Sequence, residues 1–133
     1  MSTIDRLNEI EESVCNVVDI VRDTIRGLES ADDTAELMHL RSELARLREG
    51  VDAIYSKMAR ICIDLLRVEM RLQNECIHEY ERAILHPEDY DHHRGYMSSP
   101  ELRDVRDGRE YLMELIDWLV MVMRDIDKAI ERR

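Results

Sequence analysis

The apolar positions of this chain fall into three runs, and in each the spacing alternates between three and four residues. The longest run is Leu37, Leu40, Leu44, Leu47, Val51, Ile54, Met58, Ile61, Leu65, Val68 and Leu72, with mostly charged or small residues between them. Steps of three and four hold these side chains on one stripe of an α-helix, and a stripe kept for five heptads is the pattern of a coiled-coil seam. It predicts a helix over residues 33–86, roughly 80 Å long at ~1.5 Å per residue. Ile4, Leu7, Val14, Val18, Val21, Ile25 and Leu28 carry the repeat over residues 3–29, interrupted at Glu11. Leu102, Val105, Leu112, Ile116, Leu119, Met123, Ile126 and Ile130 carry it over 99–131.

The punctuation between runs agrees with this division. Ser2 or Thr3 can cap the first helix, and Ser30-Ala31-Asp32-Asp33 makes a short polar turn that forces the first two helices to be antiparallel neighbours. Gly50 costs about 1 kcal/mol against Ala in a helix, yet the register passes through it in a regular step from Leu47 to Val51, so one continuous helix is expected. Residues 87–98 hold Pro87, Gly95 and almost no apolar periodicity, and form the one substantial loop. Ser98 or Ser99 then caps the third helix, with Pro100 and Glu101 suited to its first turn. The expected fold is one all-α domain, 1–133, of three long antiparallel coiled-coil-like helices, the central one longest.

The two shorter helices together are about as long as the central one, so they can lie end to end along it. Each half of the spine then has a single partner, and a wide apolar band is left over. Cys62, Ile63, Leu66, Met70 and Ile77 widen the stripe on the spine, and Met113, Leu115, Trp118, Val120, Met121 and Val122 make residues 112–123 apolar nearly all round. Counting back from the loop sets 58–72 opposite 112–123. A second copy would cover such a band, and two hairpins would close into a four-helix bundle, so a homodimer is expected.

The net charge of −11 disfavours direct nucleic-acid binding, since the 17 arginines are interleaved with acids instead of gathered on one face. Cys15, Cys62 and Cys76 are scattered and form no C-x-x-C pair, which suits reduced thiols. No apolar stretch is long enough to span a membrane, and a cytoplasmic location is expected.

Several constellations could carry chemistry. Glu36/His39 and Glu75/His78 have the Glu-x-x-His spacing of ferritin-like bundles, but only an antiparallel dimer would bring the pairs level, with Glu75 on the inner seam and His39 pointing outward. Arg71 and His78, six residues between them, match the R-x(4–6)-H spacing of HEPN ribonucleases, which this composition also produces by chance. Glu110, Glu114 and Asp117 make an i, i+4, i+7 carboxylate row that could hold Mg²⁺. Glu114-Leu115-Ile116-Asp117 resembles the E-x-x-D helix of MazG-like nucleoside triphosphate pyrophosphatases. That resemblance implies an Mg²⁺-dependent enzyme, although Asn74 and His78 stand where the companion E-E-x-x-E motif has acids.

The densest local chemistry surrounds the loop. His86, Tyr90, His92, His93, Arg94 and Tyr96 are followed by Arg103, Arg106 and Arg109 at successive i+3 steps on the third helix. Aromatic rings stack, and guanidinium groups fork onto carboxylate or phosphate. The expected function is that of a small acidic helical binding or regulatory protein, an inhibitor or adaptor without catalysis, whose 86–111 region grips another protein or a small anionic ligand. Arg41, Arg46 and Arg48 are assigned to a solvated outer face, and no metal or other cofactor is assigned. An all-α pyrophosphatase and a non-cleaving nucleotide sponge are the alternatives.

Overall fold

The computed structural model describes residues 2–89 and 99–132. Among them it has three α-helices, α1 Thr3–Ser30, α2 Thr34–Leu85 and α3 Pro100–Arg132, with a single 3-10 turn at Pro87–Asp89.

Each helix starts on a side-chain cap. The Ser2 hydroxyl accepts from the Asp5 N–H at 3.1 Å, while the Asp5 carboxylate accepts from the Ser2 N–H at 3.2 Å, a reciprocal capping box. Asp33 accepts from Ala35 at 3.3 Å, and Ser99 accepts from Leu102 at 3.0 Å just ahead of Pro100. Helix α2 stops at His86, whose N–H reaches the Arg82 carbonyl at 2.8 Å, because Pro87 has no N–H to continue the ladder. Across Gly50 the helix is unbroken.

Helices α1 and α3 do not lie end to end along α2, as their lengths suggested. They lie side by side and parallel, both antiparallel to α2. The Thr3 hydroxyl donates to Asp104 at 2.7 Å at one end, and Arg22, Arg26 and Glu29 share a cleft with Asp125, Lys128 and Arg132 at the other. The register of α2 against α3 is set by Arg41 donating to the Ile130 carbonyl at 2.9 Å, Arg48 to Asp127 at 3.1 Å, and the Cys62 and Met113 sulfurs 3.4 Å apart. Residue 113 therefore meets residue 62, and the stretch 112–123 stands nearer the middle of α2 than the loop count placed it.

The result is a three-helix bundle. Its core combines Leu7, Val14, Val18, Val21 and Leu28 of α1, Leu44, Val51 and Met58 of α2, and Leu112, Leu115, Leu119, Val122 and Ile126 of α3. The breadth of the apolar arc on α3 explains the arrangement. A helix apolar nearly all round loses more water-exposed surface by packing against two neighbours than against one. Helix α1 passes the middle of α2 with Ile10 and Ser13 beside Ile54 and Met58, and its first residue, Thr3, lies against Asp104 and Gly108, next to the arginines that reach Glu69. The remainder of α2, toward Leu85, runs on with α3 and the 3-10 turn.

Candidate functional site

Where α1 stops, the buried line of α2 rotates. In the three-helix part it passes through Leu44, Val51 and Met58; beyond, the buried residues are Glu69, Cys76 and Ala83. These last three continue the heptad line of Arg41, Arg48 and Cys62, which are the residues that contact α3. Glu75, expected on the inner seam, is consequently exposed, and Cys76 takes the inner place. Arg41 and Arg48, assigned to an outer face, lie on this α3-facing line within the three-helix part and reach across to α3.

Glu69 is the centre of this part of the molecule. Its side chain is 9% exposed, and two guanidinium groups hold it: Arg106 Nε donates to Oε1 at 3.0 Å, Arg109 Nε to Oε2 at 2.5 Å, and an Arg109 Nη to Oε1 at 3.4 Å. The hydrogen bond from Arg109 is the main reason the carboxyl lies below its ordinary value, and Arg106 adds to it against the opposing effect of burial. The same bond raises Arg109. Sequence reading had picked out both arginines but missed the acid between them. The available signal was the line Cys62, Glu69, Cys76, Ala83, small or apolar at every seventh residue except one.

The three arginines of the expected row therefore differ. Arg103 is exposed, Arg106 is half-buried with only its Nε on Glu69, and Arg109 is engaged with Glu69 through two nitrogens. His86 is the exposed C-cap of α2. Tyr90, His92, His93, Arg94 and Tyr96 lie outside the described residues. Just beside the start of α3, an open cleft of about 270 Å³ is lined by Leu72, Glu75, Cys76, Glu79, Ser99, Pro100 and Glu101.

The other candidates are dispersed. Glu110, Glu114 and Asp117 are exposed on the outer side of α3, as are Glu36, His39, Glu75 and His78 on α2. Among the described residues no three His, Cys, Asp or Glu side chains gather as a metal site requires. The three cysteines are free thiols, and no helix among the described residues is long and apolar enough to cross a membrane. At the opposite end of the bundle, Arg22, Arg26, Lys128 and Arg132 line an open cleft of about 420 Å³ together with Glu29 and Asp125. Two parallel helices end there, and cations favour the negative ends of their dipoles.

Large apolar side chains are also left in water. Ile63, Leu66, Met70, Tyr80, Ile84 and Leu85 of α2 and Met113 and Met121 of α3 are exposed, whereas Leu115 and Val122, expected in the uncovered band, are buried in the bundle. Comparison with models of known protein families, with curated proteins and with solved structures found no match to this chain.

Proposed function

We propose that the protein is a non-enzymatic helical binding or regulatory module, an inhibitor or adaptor, that works as a homodimer and meets a partner protein through residues 86–111. The observation that supports this is the condition of Arg106. Buried Glu69 holds its Nε, the side chain is 43% exposed, and its Nη groups make no further bond to the described residues. A guanidinium held in this way gives up little side-chain freedom when it forks onto a carboxylate, so it is a ready anchor for an acidic residue of a partner. Arg103 extends the same surface by one step of three, and Tyr90, His92, His93, Arg94 and Tyr96 precede it in the sequence.

A nucleotide is the less favoured ligand. Glu75, Glu79 and Glu101 line the cleft beside this surface and would repel its phosphates. A pyrophosphatase would need converging acids, and Glu110, Glu114 and Asp117 are turned to solvent.

The test places a photo-crosslinking residue at Arg103 and, separately, at exposed Arg46 on the N-terminal half of α2. A protein adduct from position 103 that disappears with Arg106→Gln is expected, with helix content unchanged because Arg109 still pairs with Glu69. An adduct from position 46 alone moves recognition to the other half of the bundle. Hydrolysis of nucleoside triphosphates with Mg²⁺ that is lost in Glu114→Gln or Asp117→Asn overturns the binding module in favour of the enzyme.

A further inference from the structure

From Ala59 onward, the outer face of α2 carries a second heptad stripe that no helix among the described residues covers. It consists of Ala59, Ile63, Leu66, Met70, Gln73, Ile77, Tyr80 and Ile84, again in alternating steps of three and four. Ile63 is 50%, Leu66 44%, Met70 56%, Tyr80 45% and Ile84 60% exposed. The stripe adjoins the α3-facing line of Cys62, Glu69 and Cys76, and exposed Met113 borders it through its contact with Cys62. Exposed apolar side chains from Ile63 to Ile84, over roughly 32 Å of helix and with half-buried Ile77 among them, mark an interaction surface.

We propose that a second copy of this chain covers the stripe, α2 packing antiparallel on α2 about a two-fold axis between Arg71 and Leu72. The proposal rests on the reading of the protein as a homodimer and specifies its interface. Its basis is self-complementarity, which an isologous contact demands. Antiparallel pairing about that axis sets Ile63 against the partner's Tyr80, Leu66 against the partner's Ile77, Ala59 against the partner's Ile84, and Met70 against the partner's Gln73. Every layer contains an apolar side chain, and the one polar residue sits beside the axis.

Charge points to the same pairing. On the flank away from α3 the stripe is bordered by Arg60, Arg67, Asn74 and Glu81. In the antiparallel register Arg60 meets the partner's Glu81 and Arg67 meets the partner's Asn74, each contact made twice by symmetry. A parallel pairing would aim the same flank at the partner's 62, 69, 76 and 83 line, where α3 already lies against Cys62 and Glu69. The segment 59–85 also holds four arginines (60, 67, 71, 82) against five acids (64, 69, 75, 79, 81), a contribution of −1 to the total of −11. Two copies of an acidic chain repel least where each is close to neutral.

The proposal is tested on the full chain by sedimentation equilibrium at micromolar concentration, with helix content followed by circular dichroism. Wild type should sediment at twice 15.8 kDa. Leu66→Glu should raise the dimer dissociation constant by at least about 100-fold, since it sets two desolvated carboxylates in the interface, while the exposed position leaves helix content intact. Arg60→Glu and Glu81→Arg should each weaken the dimer by about tenfold at low salt, and the double variant should restore it, because only antiparallel pairing joins those two positions. A wild-type monomer overturns the homodimer itself. A dimer indifferent to Leu66→Glu leaves the homodimer standing but overturns this surface, and failure of the double variant to restore affinity overturns the antiparallel register.

Discussion

At the scale of single residues, Glu69 is the side chain on which the distal part of the molecule depends. Removing its charge would leave Arg106 and Arg109 facing each other without a counter-ion. Glu69→Gln is expected to cost about 2–3 kcal/mol in urea denaturation, below the range for fully buried pairs because both arginines are partly solvated. The pH dependence follows from the direction of the shift. The folded carboxyl lies below its ordinary value of 4.5, so its contribution is complete above that value and is lost as pH falls through the folded one. The stability gap between wild type and Glu69→Gln should therefore close as the solution is acidified. Asp104, lowered by its hydrogen bonds from Thr3, weakens in the same direction. Tyr111 behaves oppositely. Burial, with Glu11 beside it, pushes its phenol up to about 12, and ultraviolet titration should find it ionising well above an ordinary tyrosine.

At the scale of elements, two glycines within helices separate propensity from packing. A Cβ on Gly50 meets nothing within 4 Å, so Gly50→Ala should stabilise the protein by about 1 kcal/mol through helix propensity and a less flexible unfolded chain. Gly108 is buried where α3 crosses the start of α1, and a Cβ there would lie 2.8 Å from the Thr3 Cβ and closer still to its methyl group. Gly108→Ala should accordingly destabilise by about 1–2 kcal/mol despite its better propensity, and Thr3→Ser, which removes that methyl but keeps the hydroxyl for Asp104, should recover part of the loss. Urea denaturation of Gly50→Ala, Gly108→Ala and the Gly108→Ala/Thr3→Ser double variant against wild type reads both signs. Equal gains at the two glycines would mean that α1 does not approach α3 this closely.

At the scale of the whole molecule, the core belongs to one chain before any partner is added. Leu119 is fully buried among residues of all three helices. Leu119→Asp should abolish the cooperative fold, a loss above about 4 kcal/mol, with helix content falling in circular dichroism at any protein concentration. A Leu119→Asp protein that stayed helical and merely became monomeric would mean that this residue seals a contact between chains instead. Leu66→Glu is the opposite case, predicted to separate copies without unfolding them.

The three helices, their caps and the continuity through Gly50 were readable in the sequence because each depends on neighbours three or four residues away. An apolar repeat, a serine or aspartate before it and a proline after it act locally, whatever the rest of the chain does. The candidate site was half readable: Arg106 and Arg109 stood out, and Glu69 did not. Which acid is buried depends on where α1 ends, and that is a property of how three helices share one core. The same cause explains why α1 and α3 lie side by side and why Glu75 faces water while Cys76 does not. A single repeat specifies a stripe on its own helix. Only the mutual fit of three broad stripes decides which edge of each stripe is covered and where along α2 the buried line must turn toward its one remaining helical neighbour.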